Sequence, residues 1–269
     1  MGAFTSGIVT LLTDFGTKDW YVGAVKGVLL SRCPSCCLVD ITHEVPPGQI
    51  FTAAYVLAEA YGYFPLRSVH LAVVDPGVGG SRRPVVVEAG GHWFVGPDNG
   101  LFGPILEREK GGVVRAIEKE DLFLHPVSAT FHGRDLFAPV AAHIACGGDT
   151  RGLGPEIADW VRLEVPKPLF QGGEVAGVIV HVDRFGNGIS NFSGEELARH
   201  LSGDPVEVLV GDHRLEGIHS SYVDVPSGRA LALIGSSGFL EISVNGGSAA
   251  TELGLVPGKT AITVRARQG

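Results

Sequence analysis

The 269-residue sequence predicts an α/β N-terminal domain with a central, mostly parallel sheet, followed by a small all-β C-terminal domain of barrel or sandwich type. Three observations carry that reading. Apolar runs alternate with helix-like stretches through the first half, the pattern of a sheet covered on both faces. Beyond Gly173 the texture changes to short apolar runs separated by Gly, Ser, Asn and Pro, as in small all-β domains. The 39 glycines and 16 prolines follow no period and call for many turns.

Taken in order, Ile8–Leu12 reads as a buried strand and Trp20–Arg32 as a helix. Cys37–Ile41 is a second strand, and Ile50–Tyr63 has the apolar spacing of a helix. Val69–Val74 is a third strand, and Pro84–Glu88 and His92–Val95 form a hairpin around Gly90-Gly91. Asp135–Ala145 is a helix with Phe137, Val140, Ala141 and Ile144 facing inward. Val165-Pro166-Lys167-Pro168 and Gln171-Gly172-Gly173 make a linker, so the domains are expected at 1–165 and 172–269. The second domain's strands are Val175–His181, Val206–Val210, Arg229–Ile234, Phe239–Val244 and Thr260–Arg265.

Net charge is −8, which argues against a nucleic-acid binder, whose affinity rests on a basic footprint. Met1–Ser6 fits the loose myristoylation pattern, but a second anchoring signal is missing. No basic n-region and no apolar run of membrane-spanning length is present, so no membrane contact and a cytoplasmic location are expected. Cys33, Cys36, Cys37 and Cys146 are too few for a disulfide framework and are expected as packed, reduced thiols. The carboxylates are not at metal-ligand spacing with His or Cys, so no metal is expected.

In open α/β sheets, ligands bind beyond the carboxyl ends of the strands. Asp14-Phe15-Gly16, Asp40-Ile41-Thr42-His43-Glu44 and Asp75–Gly80 all lie at such places. An Asp there accepts hydrogen bonds from a ribose diol, or it caps a turn. Asp75–Gly80 lacks the Lys of a P-loop and is not a dinucleotide fingerprint, so neither phosphate signature is present. Ser81-Arg82-Arg83 follows and brings a cation toward Asp75. His132 precedes a helix whose dipole disfavours imidazolium, which suits a neutral imidazole. Asn187 offers an amide able to read an adenine edge, or else Asn187-Gly188 is a hairpin turn.

Together these segments resemble one family over about residues 8–265. They are Thr13–Gly16 with Asp19 and Tyr21–Gly23, Asp40–Pro47, Val74–Gly79, Gly96–Gly100, Phe131–Asp135, Phe185–Asn187 and Ser237–Glu241. The order and content are similar to the S-adenosyl-L-methionine (SAM) hydroxide adenosyltransferases, adenosine-forming SAM hydrolases related to the SAM-dependent fluorinase and chlorinase. The resemblance implies hydrolysis of SAM to adenosine and L-methionine by water or hydroxide attack at C5′. SAM is then a substrate and no cofactor is implied. The family's catalytic set falls on Asp75, Arg82 and His132, with Arg82 preferred over Arg83 by spacing in the motif.

Substrate binding is carried over to Asp14 for the ribose diol, and to Asp19 and Tyr21 near the methionine end. Asp183 falls near the amino acid and Asn187 near adenine; Ser236, Glu241, Val244 and Tyr222 close the pocket. A homotrimer with sites at subunit interfaces is implied. Gly48 stands where relatives usually carry an aromatic that packs on the ribose. Ser237 and Gly133 stand where the fluorinase has an Arg and a Ser. The rival readings are a halide-using, chlorinase-like SAM transferase and a non-catalytic SAM- or adenosine-binding protein.

Overall fold

The computed structural model describes residues 6–164, 166–201 and 206–266. Residues 1–5 of the myristoylation-like opening and Val165 of the expected linker lie outside this range. The chain divides into two compact units, Met1–Leu163 and Glu164–Gly269.

The first unit runs β1 (Ile8–Thr13), α1 (Tyr21–Arg32), β2 (Cys37–Thr42), α2 (Ile50–Ala60), β3 (Val69–Val73), β4 (Pro84–Ala89), β5 (His92–Pro97), α3 (Gly103–Arg108), β6 (Val113–Ala116) and α4 (Ala138–Ala145). Its six-stranded sheet has the order β2-β1-β3-β5-β4-β6. The pairings from β2 to β5 are parallel, whereas β4 pairs antiparallel with both β5 and β6. The sheet is therefore mixed rather than mostly parallel. The cause is the two-residue turn at Gly90-Gly91, both with positive φ (56° and 79°) as a tight hairpin of this hand requires. It reverses the chain at β5 and leaves β6 to extend the antiparallel half.

Alternation along the strands supplies both faces. Val9, Leu11, Val69, Leu71 and Val73 pack under Val25 and Leu29 of α1 and Val140, Ala141 and Ile144 of α4. Leu12, Ala72 and Val74 face the other way, onto Ala53 and Leu57 of α2 and Ile105 of α3. Asp14 and Asp75 thus emerge at the carboxyl ends of the two central parallel strands, between two packed layers.

Two expectations change here. The helix expected over Asp135–Ala145 begins earlier, as a π-helical turn at Gly133–Phe137 that runs into α4. Single π-turns occur preferentially at functional positions. The cysteines are not all reduced: Cys33 and Cys146 form a disulfide with Cα atoms 5.9 Å apart. They cap the C-terminal ends of α1 and α4, which pack side by side, so neighbours in space are 113 residues apart in sequence. Cys36 is buried and Cys37 exposed, both free.

The second unit comprises β7 (Leu169–Gln171), β8 (Glu174–Val182), β9 (Gly188–Ser193), α5 (Gly194–His200), β10 (Val206–Val210), β11 (His213–Glu216), β12 (Ala230–Ile234), β13 (Phe239–Val244), α6 (Ala249–Glu252) and β14 (Ala261–Ala266). The strands pair antiparallel in the order β11-β10-β14-β8-β9-β13-β12, with β7 added to β8. A bridge between His219, just after β11, and Leu233 of β12 nearly closes the sheet into a barrel. Val175, Ile179, Phe192, Val208, Leu240, Ile242, Ile262 and Val264 fill its interior. Ser193 and Glu196 form a reciprocal capping box that starts α5 directly from β9.

Candidate active site

In the first unit, Asp75, Arg82 and His132 come into direct contact. Arg82 Nε donates to both Asp75 oxygens, at 3.1 and 2.9 Å, and Nη2 donates to Oδ2 at 2.5 Å. The same Nη2 donates to His132 Nδ1 at 2.6 Å. Side-chain exposure is 5% for Asp75 and 11% for Arg82, so this pair is largely withdrawn from water. Phe137 of the π-turn lies under the guanidinium, 5.2 Å from its ring centre. Arg83 turns the opposite way, onto Asp98 and Asp159, each at 2.8 Å. Of the two arginines only Arg82 reaches this cluster.

Arginine has no acceptor, so His132 Nδ1 must accept from it, and the neutral ring then carries its proton on Nε2. Burial and the adjacent Arg82 charge hold the imidazole pKa below its ordinary value, against the weaker pull of Asp75 and Asp135. Asp135 anchors the loop: its carboxylate accepts from the Ser128 amide (2.9 Å) and from Arg134 (2.5 and 2.9 Å). Burial pushes Asp135 up, but these partners outweigh it and leave its pKa below the usual carboxylate range. On the other side, Asn99 Nδ2 donates to Val74 O at 2.8 Å and fixes the strand end from which Asp75 projects.

Asp14 follows β1, and the Gly48 amide donates to its Oδ2 at 2.8 Å. Gly48 has φ +72°, so this backbone donor is presented from a left-handed turn. Tyr21 stacks edge-on against Phe131, with ring centres 5.2 Å apart, which puts it next to the His132 loop. Asp19 is exposed just before α1. The aromatic group of Phe15, Trp20, Tyr21 and Phe131 is continuous, and Trp20 is 59% exposed. The contribution of Phe15 and Trp20 to this group is not legible in sequence, because isolated aromatics beside a strand end read as core. Gly133 sits under Phe15: a Cβ there would lie 3.2–3.3 Å from the ring.

In the second unit, Asp183 organises the β8–β9 turn. Its carboxylate accepts from the Phe185 and Asn187 amides (2.9 and 2.8 Å) and from Asn187 Nδ2 (2.9 Å). One donor of Asn187 is therefore committed to the turn. Glu241 is buried in β13, and its Oε1 accepts from Tyr222 Oη (2.7 Å) and Ser243 Oγ (2.8 Å). Burial, then the hydrogen bond and charge of Glu241, push the Tyr222 hydroxyl up to about 12. Ser243 carries no signal in the sequence, because it sits inside an apolar strand. Glu241 Oε2 presses on Gly235, where a Cβ would lie 2.5 Å away. Ser236 is exposed in the β12–β13 turn, and Val244 is buried at the end of β13. Among the described residues no group of three or more His, Cys, Asp or Glu is arranged to hold a metal ion.

The N-terminal domain of the SAM hydroxide adenosyltransferases matches residues 9–154, and the C-terminal domain of the same family matches residues 177–262. The chain belongs to the SAM hydroxide adenosyltransferase family. Within it, a Thermus thermophilus protein named (R)-S-adenosyl-L-methionine hydrolase is 44% identical over 93% of this chain and 96% of its own. A fluorinase from an Actinoplanes species is more distant, at 26% identity over 96% of this chain and 98% of its own. The family fold is also that of a crystal structure of an uncharacterized conserved protein from Thermotoga maritima. That structure has a TM-score of 0.90 and 37% identity, covering 96% of this chain and all of the other.

Proposed function

We propose that this protein hydrolyses S-adenosyl-L-methionine to adenosine and L-methionine, with Asp75, Arg82 and His132 as the catalytic set. The hydrolase relative at 44% identity supports the reaction. The observation that carries the residue assignment is the Arg82 fork, which joins a buried carboxylate to a neutral imidazole. The name of that relative specifies the R configuration at sulfur, and we extend that preference to this chain.

The sulfonium leaves as a neutral thioether, so no acid is needed at the departing atom. The site must instead hold one water in line with the C5′–S bond. His132 Nε2–H donates to that water and leaves its lone pair directed at C5′. With Nδ1 held by Arg82, His132 is an orienting donor and not the base. The C5′–O bond forms as the C5′–S bond breaks, both electrons going to sulfur. The proton released from the attacking water passes to the Asp75 side of the cluster and on to solvent. Arg82 fixes both partners and favours hydroxide character in the nucleophile.

Asp14 holds the ribose diol, with Asp19 and Tyr21 toward methionine. In the second unit, Asp183, Asn187, Tyr222, Ser236, Glu241 and Val244 are the substrate-contacting set. The active assembly is a homotrimer with sites at subunit interfaces, in the cytoplasm and without a cofactor; no described helix is long and apolar enough to cross a membrane. The test is turnover of the separated R and S sulfonium epimers, with and without chloride, followed by chromatography of the nucleoside. Adenosine from the R epimer at a rate indifferent to chloride supports the reading. A 5′-chloro-5′-deoxyadenosine product, or binding without turnover, overturns it.

A further inference from the structure

One buried polar chain is not used by this mechanism. His43, 4% exposed, follows β2, and its Nδ1 lies 2.8 Å from the Thr13 hydroxyl at the end of β1. Its Nε2 is 3.1 Å from Asp40 Oδ1, bent away from ideal hydrogen-bond geometry, and Asp40 Oδ2 accepts from Lys26 Nζ at 2.6 Å. The directions are mutually consistent. With the ring proton on Nε2 facing Asp40, Nδ1 accepts from the Thr13 hydroxyl, whose lone pairs are left to accept from the Phe15 amide at 3.3 Å. The backbone closes the loop, since the Gly16 amide donates to the His43 carbonyl at 2.8 Å. Asp14 lies inside this frame. The residue before it, the two amides after it and the Gly48 amide on its carboxylate are all tied down.

We infer that His43 is a positioning residue for Asp14, and that the Lys26–Asp40–His43–Thr13 chain sets how strongly a nucleoside with an intact 2′,3′-diol is held. This rests on the reading of Asp14 as the ribose-binding carboxylate. The physical reason is orientation: a carboxylate accepting two hydrogen bonds from a diol needs its plane fixed, and a buried relay achieves this without touching ligand. A purely structural His43 would lower affinity for every nucleoside alike, whereas a positioning His43 lowers only the diol-dependent part.

The experiment is calorimetric binding of adenosine and of 2′,3′-dideoxyadenosine to the intact protein and its variants. Wild type should prefer adenosine by at least about tenfold, the value of a charge-assisted pair of hydrogen bonds. His43→Ala should shrink that preference to about twofold while dideoxyadenosine affinity stays put. His43→Asn, whose side-chain oxygen takes the place of Nδ1 as acceptor for Thr13, should restore most of it. Adding His43→Ala to Asp14→Ala should cost nothing more. Should the buried substitutions fail to fold, Asp40→Asn at the half-exposed end tests the same chain, with an expected loss of about threefold in preference. Full preference retained in His43→Ala or Asp40→Asn overturns the inference, as does an equal loss for both ligands. A wild type with no preference, or an Asp14→Ala that keeps it, shows instead that the ribose assignment has failed, and the inference with it.

Discussion

Replacing Arg82 with Met keeps most of the side-chain volume over Phe137 and removes the charge and all four hydrogen bonds to Asp75 and His132. Asp75 is then a nearly buried carboxylate without its cation. Breaking such a pair costs roughly 3–5 kcal/mol of stability, which in a unit of this size lowers Tm by about 10 °C. Catalysis should fall by about 10²–10⁴-fold in kcat/KM, since both the orientation of His132 and the electrostatic support of the nucleophile are lost. A second signature is independent of magnitude. In the wild type the imidazole pKa is depressed by burial and by the Arg82 charge, so activity persists as pH falls through 6.5 and is lost only lower, as Nδ1 is protonated against the guanidinium. Without Arg82, and with Asp75 still nearby, the acid limb should move to higher pH. The assay is kcat/KM for SAM across pH 4–9, at a temperature where circular dichroism shows the variant folded. An unmoved acid limb with activity within threefold of wild type would refute the role given to Arg82.

Other perturbations are equally specific. Gly133→Ala pushes a Cβ to 3.2 Å from Phe15, so kcat/KM should fall, by up to about a hundredfold, and recover when Phe15→Leu is added. His70, fully buried against His92, has its pKa pushed down to about 3, chiefly by burial. The unfolded state therefore takes up a proton first, and the stability present above pH 6.5 is lost as pH falls toward 3, by up to about 5 kcal/mol. Urea melts of wild type and His70→Gln at pH 7 and pH 4.5 should show a smaller acid loss in the variant. Removing the Cys33–Cys146 bridge with paired Ser substitutions should cost about 2–4 kcal/mol and leave kcat unchanged, read by denaturant melts and turnover side by side.

Much of the architecture is legible in the residues. Val69–Val73 is buried throughout, so an apolar run announces it, and Gly90-Gly91 announces the hairpin. The strands that escape notice are polar edge strands such as His213–Glu216, where three of four side chains face solvent. The β4–β6 pairing and the disulfide depend on which elements become neighbours, which local periodicity does not encode. At the candidate site, motif spacing selects Arg82, and geometry adds what spacing cannot: Arg83 leaves for Asp98 and Asp159, and His132 Nδ1 is already occupied. Asn99 and His43 fall within motifs the sequence singles out, yet their roles are not legible there, because Asn99 holds Val74 O and His43 meets Thr13, each at the end of another strand.

The most direct test of the account is the fate of oxygen from water. Wild type and His132→Ala should be incubated with SAM in chloride-free buffer made with ¹⁸O water, and the nucleoside product analysed by mass spectrometry. Attack of water at C5′ gives adenosine carrying one ¹⁸O at the 5′ position in wild type, with its formation lost in the variant. Unlabelled adenosine, a nucleoside still bearing sulfur at C5′, or an undiminished rate in His132→Ala would contradict it.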